Sequence, residues 1–272
     1  MSSLSSHLFK YLRYWLTAAN GKGHGIHSPF VFQFIQEVLN NNHKHFEDYD
    51  RIEKLRHNLL QNHTRVFVQD LGAGSTISKN NNRSIASIAR HAAKPKKFGQ
   101  LLFRVVKYYQ PKIIFDLGTS LGITTSYLAA ANPNATVITL EGVPSLASIA
   151  KQNFKSLDLK NIELVEGNFE DTLSSAIKTL GDVEQPQFID FVFIDGNHRC
   201  EPTIRYFNQL LEKVQNDSIF IFDDIHWSGE MEQAWKTIQS HSSVRCTIDL
   251  FFVGIAFFRQ EFKTKQHFVI RF

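Results

Sequence analysis

The chain has 272 residues, 43% of them hydrophobic and 21% charged, with a formal net charge of +4. That is enough apolar material for one large α/β domain with an extension, or for two small domains, and it excludes general disorder. No run of about 18 uncharged apolar residues occurs, which excludes a transmembrane helix.

The charge is unevenly placed. Residues 1–109 carry 16 Lys/Arg and 6 Asp/Glu, whereas residues 110–272 carry 14 and 20. A basic segment of this kind meets phosphate, anionic lipid or an acidic substrate, or is simply a solvated face. The two cysteines, Cys200 and Cys246, are too few for a disulfide framework or a four-thiolate zinc site and read as reduced thiols of a cytoplasmic protein.

At the start of the chain Leu4, Leu8, Leu12 and Trp15 recur at helical spacing among Lys10 and Arg13, and no acid precedes Glu37. This pattern predicts a cationic amphipathic helix. It fits a transit peptide, a helix lying on a membrane surface, or a helix packed on the rest of the protein. Packing of the apolar stripe is the expectation, because such stripes usually face a core. Lys10 and Arg13 interrupt any secretory h-region.

A Gly-rich break, "GKGHG", follows. Ser28 then caps a helix with Pro29 in its first turn, and "DYDRIEKLRHNLLQN" supplies another. "VFVQDLGAGS", with Asp70, Gly72 and Gly74, looks like a cofactor loop, yet the polar "TISKNNNRS" stands where an apolar helix is needed. It reads as a loop near the site, as a lid or substrate wall, or as an ordinary turn. Residues 84–109 are helical again.

Beyond Pro111 β-rich runs alternate with helical stretches. Strands are predicted at Ile113–Asp116, Thr136–Leu140, Ile162–Val165, Ile189–Asp195, Ser218–Asp223, Val244–Leu250 and Gly254–Arg259. Alternation of this kind predicts a parallel sheet covered on both faces, with the last two strands as an antiparallel hairpin.

Ligands of such sheets bind at the carboxyl ends of the strands. "KIIFDLG" runs into "TSLGITTSYLAAA", placing Asp116, Gly118 and Gly122 there. The glycines allow close backbone approach, and the following helix aims its N–H groups at the ligand. The spacing G-x-x-x-G differs from the dinucleotide fingerprint, and an acid before the first glycine suits an ammonium group. Glu141 ends the second strand, where a carboxylate accepts hydrogen bonds from a ribose diol. A polar turn, Gly167–Asn168–Phe169, follows the third.

Asp195 ends the fourth strand, and Asp223 and Asp224 end the fifth. Converging carboxylates suit Mg²⁺. The plainer reading has Asp195 orienting His198 and Asp224 capping the next helix. His198, three residues after Asp195, has the proton affinity of a general base, or is an orienting or surface histidine. His226 and Trp227 line an acceptor pocket or pack. The pairs His24/His27 and His43/His45 read as solvated.

From about Lys97 to Arg259 these motifs resemble a class I S-adenosylmethionine-dependent methyltransferase. More narrowly they resemble the O-methyltransferases of the catechol and caffeoyl-CoA type. The residues that carry the resemblance are "FGQLLFRVVKYYQPKIIFDLGTSLGITTSYLA", "TLEG", "VEGNFED", "DFVFIDGNH" and "IFIFDDIHW". It implies a Rossmann-like, doubly wound, seven-stranded mixed α/β sheet with the last strand antiparallel. Residues 96–272 would form the methyltransferase domain and residues 1–95 a helical, basic extension covering the acceptor site.

The resemblance also implies roles. Asp116, Gly118, Thr119 and Gly122 would hold the methionine end of S-adenosylmethionine, Glu141 and Gly142 the ribose, and Asn168 and Phe169 the adenine. Asp195 would touch the cofactor and act with His198 in catalysis. Asp195, Asp223 and Asp224 would hold Mg²⁺, although metal-dependent relatives carry an asparagine at the third position and a lysine where His198 stands. "DGNH" replaces the Asn/Asp-Pro-Pro-aromatic motif of amino-directed enzymes, which favours a hydroxyl of a small or medium-sized acceptor.

Rival readings keep RNA as the substrate through residues 1–109, or make the chain a non-catalytic binding protein docked on a membrane through Leu4–Trp15. Related enzymes are often homodimers.

Overall fold

The computed structural model describes residues 4–41, 44–69, 81–181 and 187–272, with side chains described from His7 onward. Asp70, Gly72 and Gly74 lie outside the described residues. Two compact units emerge, one of residues 44–187 and one joining residues 1–43 to 188–272.

The chain opens with α1 (Leu4–Thr17) and α2 (Pro29–Phe34), the latter running on into a π-helical turn over Ile35–Leu39. Ser28 caps α2 as the sequence predicts, its hydroxyl accepting from the Val31 N–H, with Pro29 following.

The unit of residues 44–187 begins with α3 (Glu47–Leu60), whose first turn carries Glu47, Asp48 and Asp50 against the positive end of the helix dipole. A small antiparallel pair, β1 (Arg65–Phe67) and β2 (Asn82–Ser84), then α4 (Ile85–His91) and α5 (Lys96–Tyr109), lead into the sheet. Its strands here are β3 (Ile113–Leu117), β4 (Thr136–Glu141) and β5 (Ile162–Glu166), parallel and adjacent in that order. Between and after them run α6 (Ile123–Ala131), α7 (Pro144–Ser156) and α8 (Phe169–Lys178). Every residue of α6 is buried, which is why "ITTSYLAAA" shows no polar stripe.

The other unit holds β6 (Ile189–Ile194), α9 (Cys200–Leu210), β7 (Val214–Asp223), α10 (Gly229–Ser240), β8 (Cys246–Asp249), β9 (Val253–Phe257) and β10 (Gln266–Val269). Strands β6 and β7 are parallel, β9 is antiparallel to both β7 and β8, and β10 lies parallel to β8. Phe191, Phe193, Phe220 and Phe222 are fully buried, which accounts for the near-continuous apolar runs of β6 and β7.

Two expectations need correction. Among the described residues the sheet strands number eight rather than seven, because β10 adds a parallel edge partner for β8. The apolar stripe of α1 is not the face that packs: Leu8, Leu12 and Trp15 are exposed. The opposite face packs, with His7, Tyr11 and Tyr14 each within ring-contact distance of Phe251. Aromatic rings offer more contact area than a leucine row when the receiving surface is itself aromatic. Lys10 reinforces this docking with an ion pair to Glu232 at 2.9 Å, and Ala19 exchanges backbone hydrogen bonds with Val269 and Arg271.

Both cysteines are free thiols, and burial pushes that of Cys246 up to about 12.

Candidate active site

The first group of site residues lies in the unit of residues 44–187, at the carboxyl ends of β3 and β4. Asp116 is fully buried. Its Oδ2 accepts hydrogen bonds from the hydroxyls of Thr125 (2.6 Å) and Thr139 (2.8 Å). Its Oδ1 is also buried and has no hydrogen-bond partner among the described residues. Burial pushes the carboxyl up to about 6, the two threonine hydroxyls oppose that shift, and Glu141 adds to it. A buried acceptor left unused at a strand end is what a cationic ligand group would satisfy.

The loop after β3 is built on left-handed backbone, with φ of 119° at Gly118, 49° at Ser120 and 77° at Gly122. The N–H groups of Gly118 and Thr119 both donate to the Leu140 carbonyl, and the Thr119 hydroxyl meets that of Thr139 at 2.6 Å. Gly122 starts α6 in the left-handed region. A Cβ there would stand 2.5 Å from the Phe154 ring, so only glycine fits.

Glu141 is buried, and its two oxygens are engaged, Oε2 by the Ser120 N–H at 2.7 Å and Oε1 by the Val143 N–H at 2.8 Å. Burial raises its pKa, and these backbone donors resist the shift. The Gly142 N–H is a third backbone donor, so one lone-pair position of the carboxylate is left for a ligand hydroxyl while it holds the two loops together. Gly142 follows and is half-buried. Asn168 caps α8, its side chain accepting from the Glu170 N–H at 3.3 Å, and Phe169 is half-buried beside it.

The second group lies in the other unit. Phe193 pairs with Ile221 and Ile194 with Phe222, so the register brings Asp195 level with Asp223. His198 joins them. One ligand atom each from Asp195, His198 and Asp223 falls within 4.8 Å of the others. His198 Nε2 stands 3.5 Å from Asp195 Oδ1. The chain reaches this geometry through two consecutive left-handed residues, Asn197 (φ 69°) and His198 (φ 45°). Strain of this kind is concentrated at functional sites.

Asp224 is not part of this cluster. It is itself left-handed (φ 52°), and its N–H donates to the Phe252 carbonyl at 2.7 Å. The strand ends at Asp223, so the left-handed turn at Asp224 breaks the extended run.

Beyond Asp224, His226 is clamped between Asp249 (2.8 Å) and Glu232 (3.3 Å) and stacks on Phe251. Burial alone would lower its pKa, but the two carboxylates prevail and raise it. Trp227 is half exposed, with His7 against its edge. Thr125, Thr139 and Ser120 complete the first group and were not singled out in the sequence. Thr139 faces Asp116 directly across the β3–β4 register, and that pairing is the signal that finds it.

Residues 115–225 match the family described as a methyltransferase domain. A similar protein is the O-methyltransferase imqG of Aspergillus flavus, 28% identical over 123 residues, covering 45% of this chain and 49% of that one. The catechol O-methyltransferase of Niastella koreensis is 29% identical over 137 residues, covering 50% and 58%. The chain thus spans about half the length of the curated relatives it matches. Among solved structures, an O-methyltransferase from Bacillus cereus in complex with SAH superimposes with a TM-score of 0.55. It is 17% identical, with 82% of this chain and 96% of that one covered, and it shares the fold. The Rossmann-like class expected from the sequence is therefore the observed one.

Proposed function

We propose that the protein transfers a methyl group from S-adenosylmethionine to a hydroxyl oxygen of a small or medium-sized molecule. The unsatisfied, fully buried Oδ1 of Asp116 carries this reading, because it sits beside the glycine loop where a cationic ammonium group would meet it. The likeness of residues 115–225 to methyltransferase domains supports the same cofactor.

In this reading Asp116, Gly118, Thr119 and Gly122 bind the methionine end, Glu141 and Gly142 the ribose, and Asn168 and Phe169 the adenine. Asp195 contributes to the cofactor side and orients His198. The reaction forms a C–O bond on the acceptor as the C–S bond of the sulfonium breaks, releasing S-adenosylhomocysteine. The hydroxyl proton passes to the His198 imidazole. Holding acceptor and donor in line accounts for most of the rate gain in such chemistry.

The donor set around Asp195 and Asp223 fits a divalent cation. The two carboxylates are hard donors of the kind Mg²⁺ takes, while the nearby imidazole suits softer divalent ions equally. Such an ion would lower the acceptor hydroxyl's pKa. Residues 1–95 would set acceptor choice, and the catechol O-methyltransferase relative makes a hydroxylated small molecule the first class to try.

The test is calorimetric titration of S-adenosylmethionine and S-adenosylhomocysteine into the purified chain, with and without Mg²⁺, with Asp116→Ala as control. Micromolar binding that the variant loses supports the reading, and absence of binding under every condition overturns it. Retention of bulk tRNA with strong salt dependence would transfer the acceptor to RNA.

A further inference from the structure

Helix α1 has two faces of opposite fate. His7, Tyr11 and Tyr14 meet Phe251, and Lys10 meets Glu232. On the other side Leu8, Phe9, Leu12, Trp15 and Leu16 are exposed, from 45% for Trp15 to 77% for Leu16. At 3.6 residues per turn these five fill an arc of about 120° on one side of the helix. Val269, on the strand to which Ala19 is hydrogen-bonded, is exposed as well. Single exposed leucines need no explanation, but five large apolar side chains in one stripe do.

We infer that this stripe is a docking surface for an anionic lipid membrane, with α1 lying in the plane of the interface. The charge around the stripe selects this occupant. No acid occurs in residues 1–36, whereas Arg13 and Lys22 are exposed. The Arg271 guanidinium lies over the Trp15 ring, 5.4 Å from its centroid. An amphipathic helix with an indole and cations at the border of its apolar face matches the boundary between acyl chains and anionic headgroups. A second copy of the chain fits less well, because an isologous contact through this face would bring Arg13 and Arg271 near their own counterparts. The helix has 14 residues, too few to cross a bilayer, so it lies on the surface.

The experiment is co-sedimentation of the full chain with vesicles of phosphatidylcholine alone or mixed with phosphatidylserine. The probe variant is Leu12→Glu/Leu16→Glu, which alters only exposed positions. Wild type is expected to sediment with the phosphatidylserine vesicles, less so in high salt. The variant is expected to partition about tenfold more weakly or less still, with unchanged melting temperature and unchanged S-adenosylmethionine binding. Those two controls keep this test separate from that of the enzymatic reading. The inference is overturned if wild type ignores anionic vesicles or if the double variant sediments as wild type does. It is equally overturned if wild type is a dimer without lipid that the variant converts to monomer.

Discussion

Gly122 lies directly under the ring of Phe154: a Cβ on Gly122 would stand 2.5 Å from one ring carbon and 2.8 Å from the next. Its φ of 77° adds a second demand for glycine. Gly122→Ala should therefore destabilise the chain by about 3 kcal/mol, the combined cost of overpacking and a left-handed alanine. Chemical denaturation reads this as a lower midpoint at unchanged slope. Because the same residue shapes the loop after β3, S-adenosylmethionine affinity should fall with it. A stable variant that binds normally would show that the close approach is not required.

Asp116 should make the unliganded protein less stable as pH rises. Its carboxyl is raised from 3.8 to about 6 by burial. The contribution of a group raised in this way is fully present below the unfolded value and is lost as pH rises through the folded one. The loss between pH 4 and 7 amounts to about 2 kcal/mol. Asp116→Asn retains a carbonyl acceptor for Thr125 and Thr139 but cannot ionise. Its stability profile should be flatter over this window, and the variant should match or exceed wild type at pH 7 without ligand while losing cofactor affinity. Parallel profiles for the two proteins would contradict the assignment.

The contrast between β3–β9 and the two chain ends shows what the sequence reveals. Runs such as "FVFI" and "IFIF" are apolar throughout because both faces are covered, and that signal is local. β10 is only Gln266–Val269, and its pairing with β8 depends on tertiary context. Helix α1 was legible as a helix but not in its orientation. The leucine row dominates the pattern, while the face that packs is made of His7, Tyr11 and Tyr14, whose partner Phe251 lies far along the chain. At the site, Asp116, Glu141, Asp195 and Asp223 stand at strand ends as expected. The replacement of Asp224 by His198 in the cluster depends on left-handed backbone at Asn197, His198 and Asp224, which these non-glycine residues do not announce.

His198→Gln should separate binding from chemistry. If His198 takes the acceptor's proton, its loss lowers kcat by about 10²- to 10⁴-fold while leaving S-adenosylmethionine affinity within about twofold. Asp195→Asn should also lower kcat, since it changes the partner 3.5 Å from the imidazole. The double variant should then be little worse than the worse single one, as expected for residues that act as a unit. Strictly additive losses would indicate two independent roles.

His226 couples the loop that follows Asp223 to β8 and α10. Its Nε2 meets Asp249 at 2.8 Å, its Nδ1 meets Glu232 at 3.3 Å, and Glu232 in turn pairs with Lys10 of α1. Asp249 is buried and also accepts from the Phe251 N–H at 2.8 Å, so removing the imidazole leaves a buried carboxylate with one donor fewer. His226→Ala is expected to cost about 3 kcal/mol, through that uncompensated charge and the lost stacking on Phe251. A loss of this size lowers Tm by about 6–12 °C in a chain of this length. Glu232→Gln, at the more exposed end of the chain of contacts, should cost less than about 1 kcal/mol. Because the contacts of His226 run to Asp249, Glu232 and Phe251, its variant should retain cofactor binding at temperatures well below its melting point. Equal destabilisation by the two substitutions would mean that the Lys10–Glu232 pair, rather than the His226–Asp249 contact, fixes this loop.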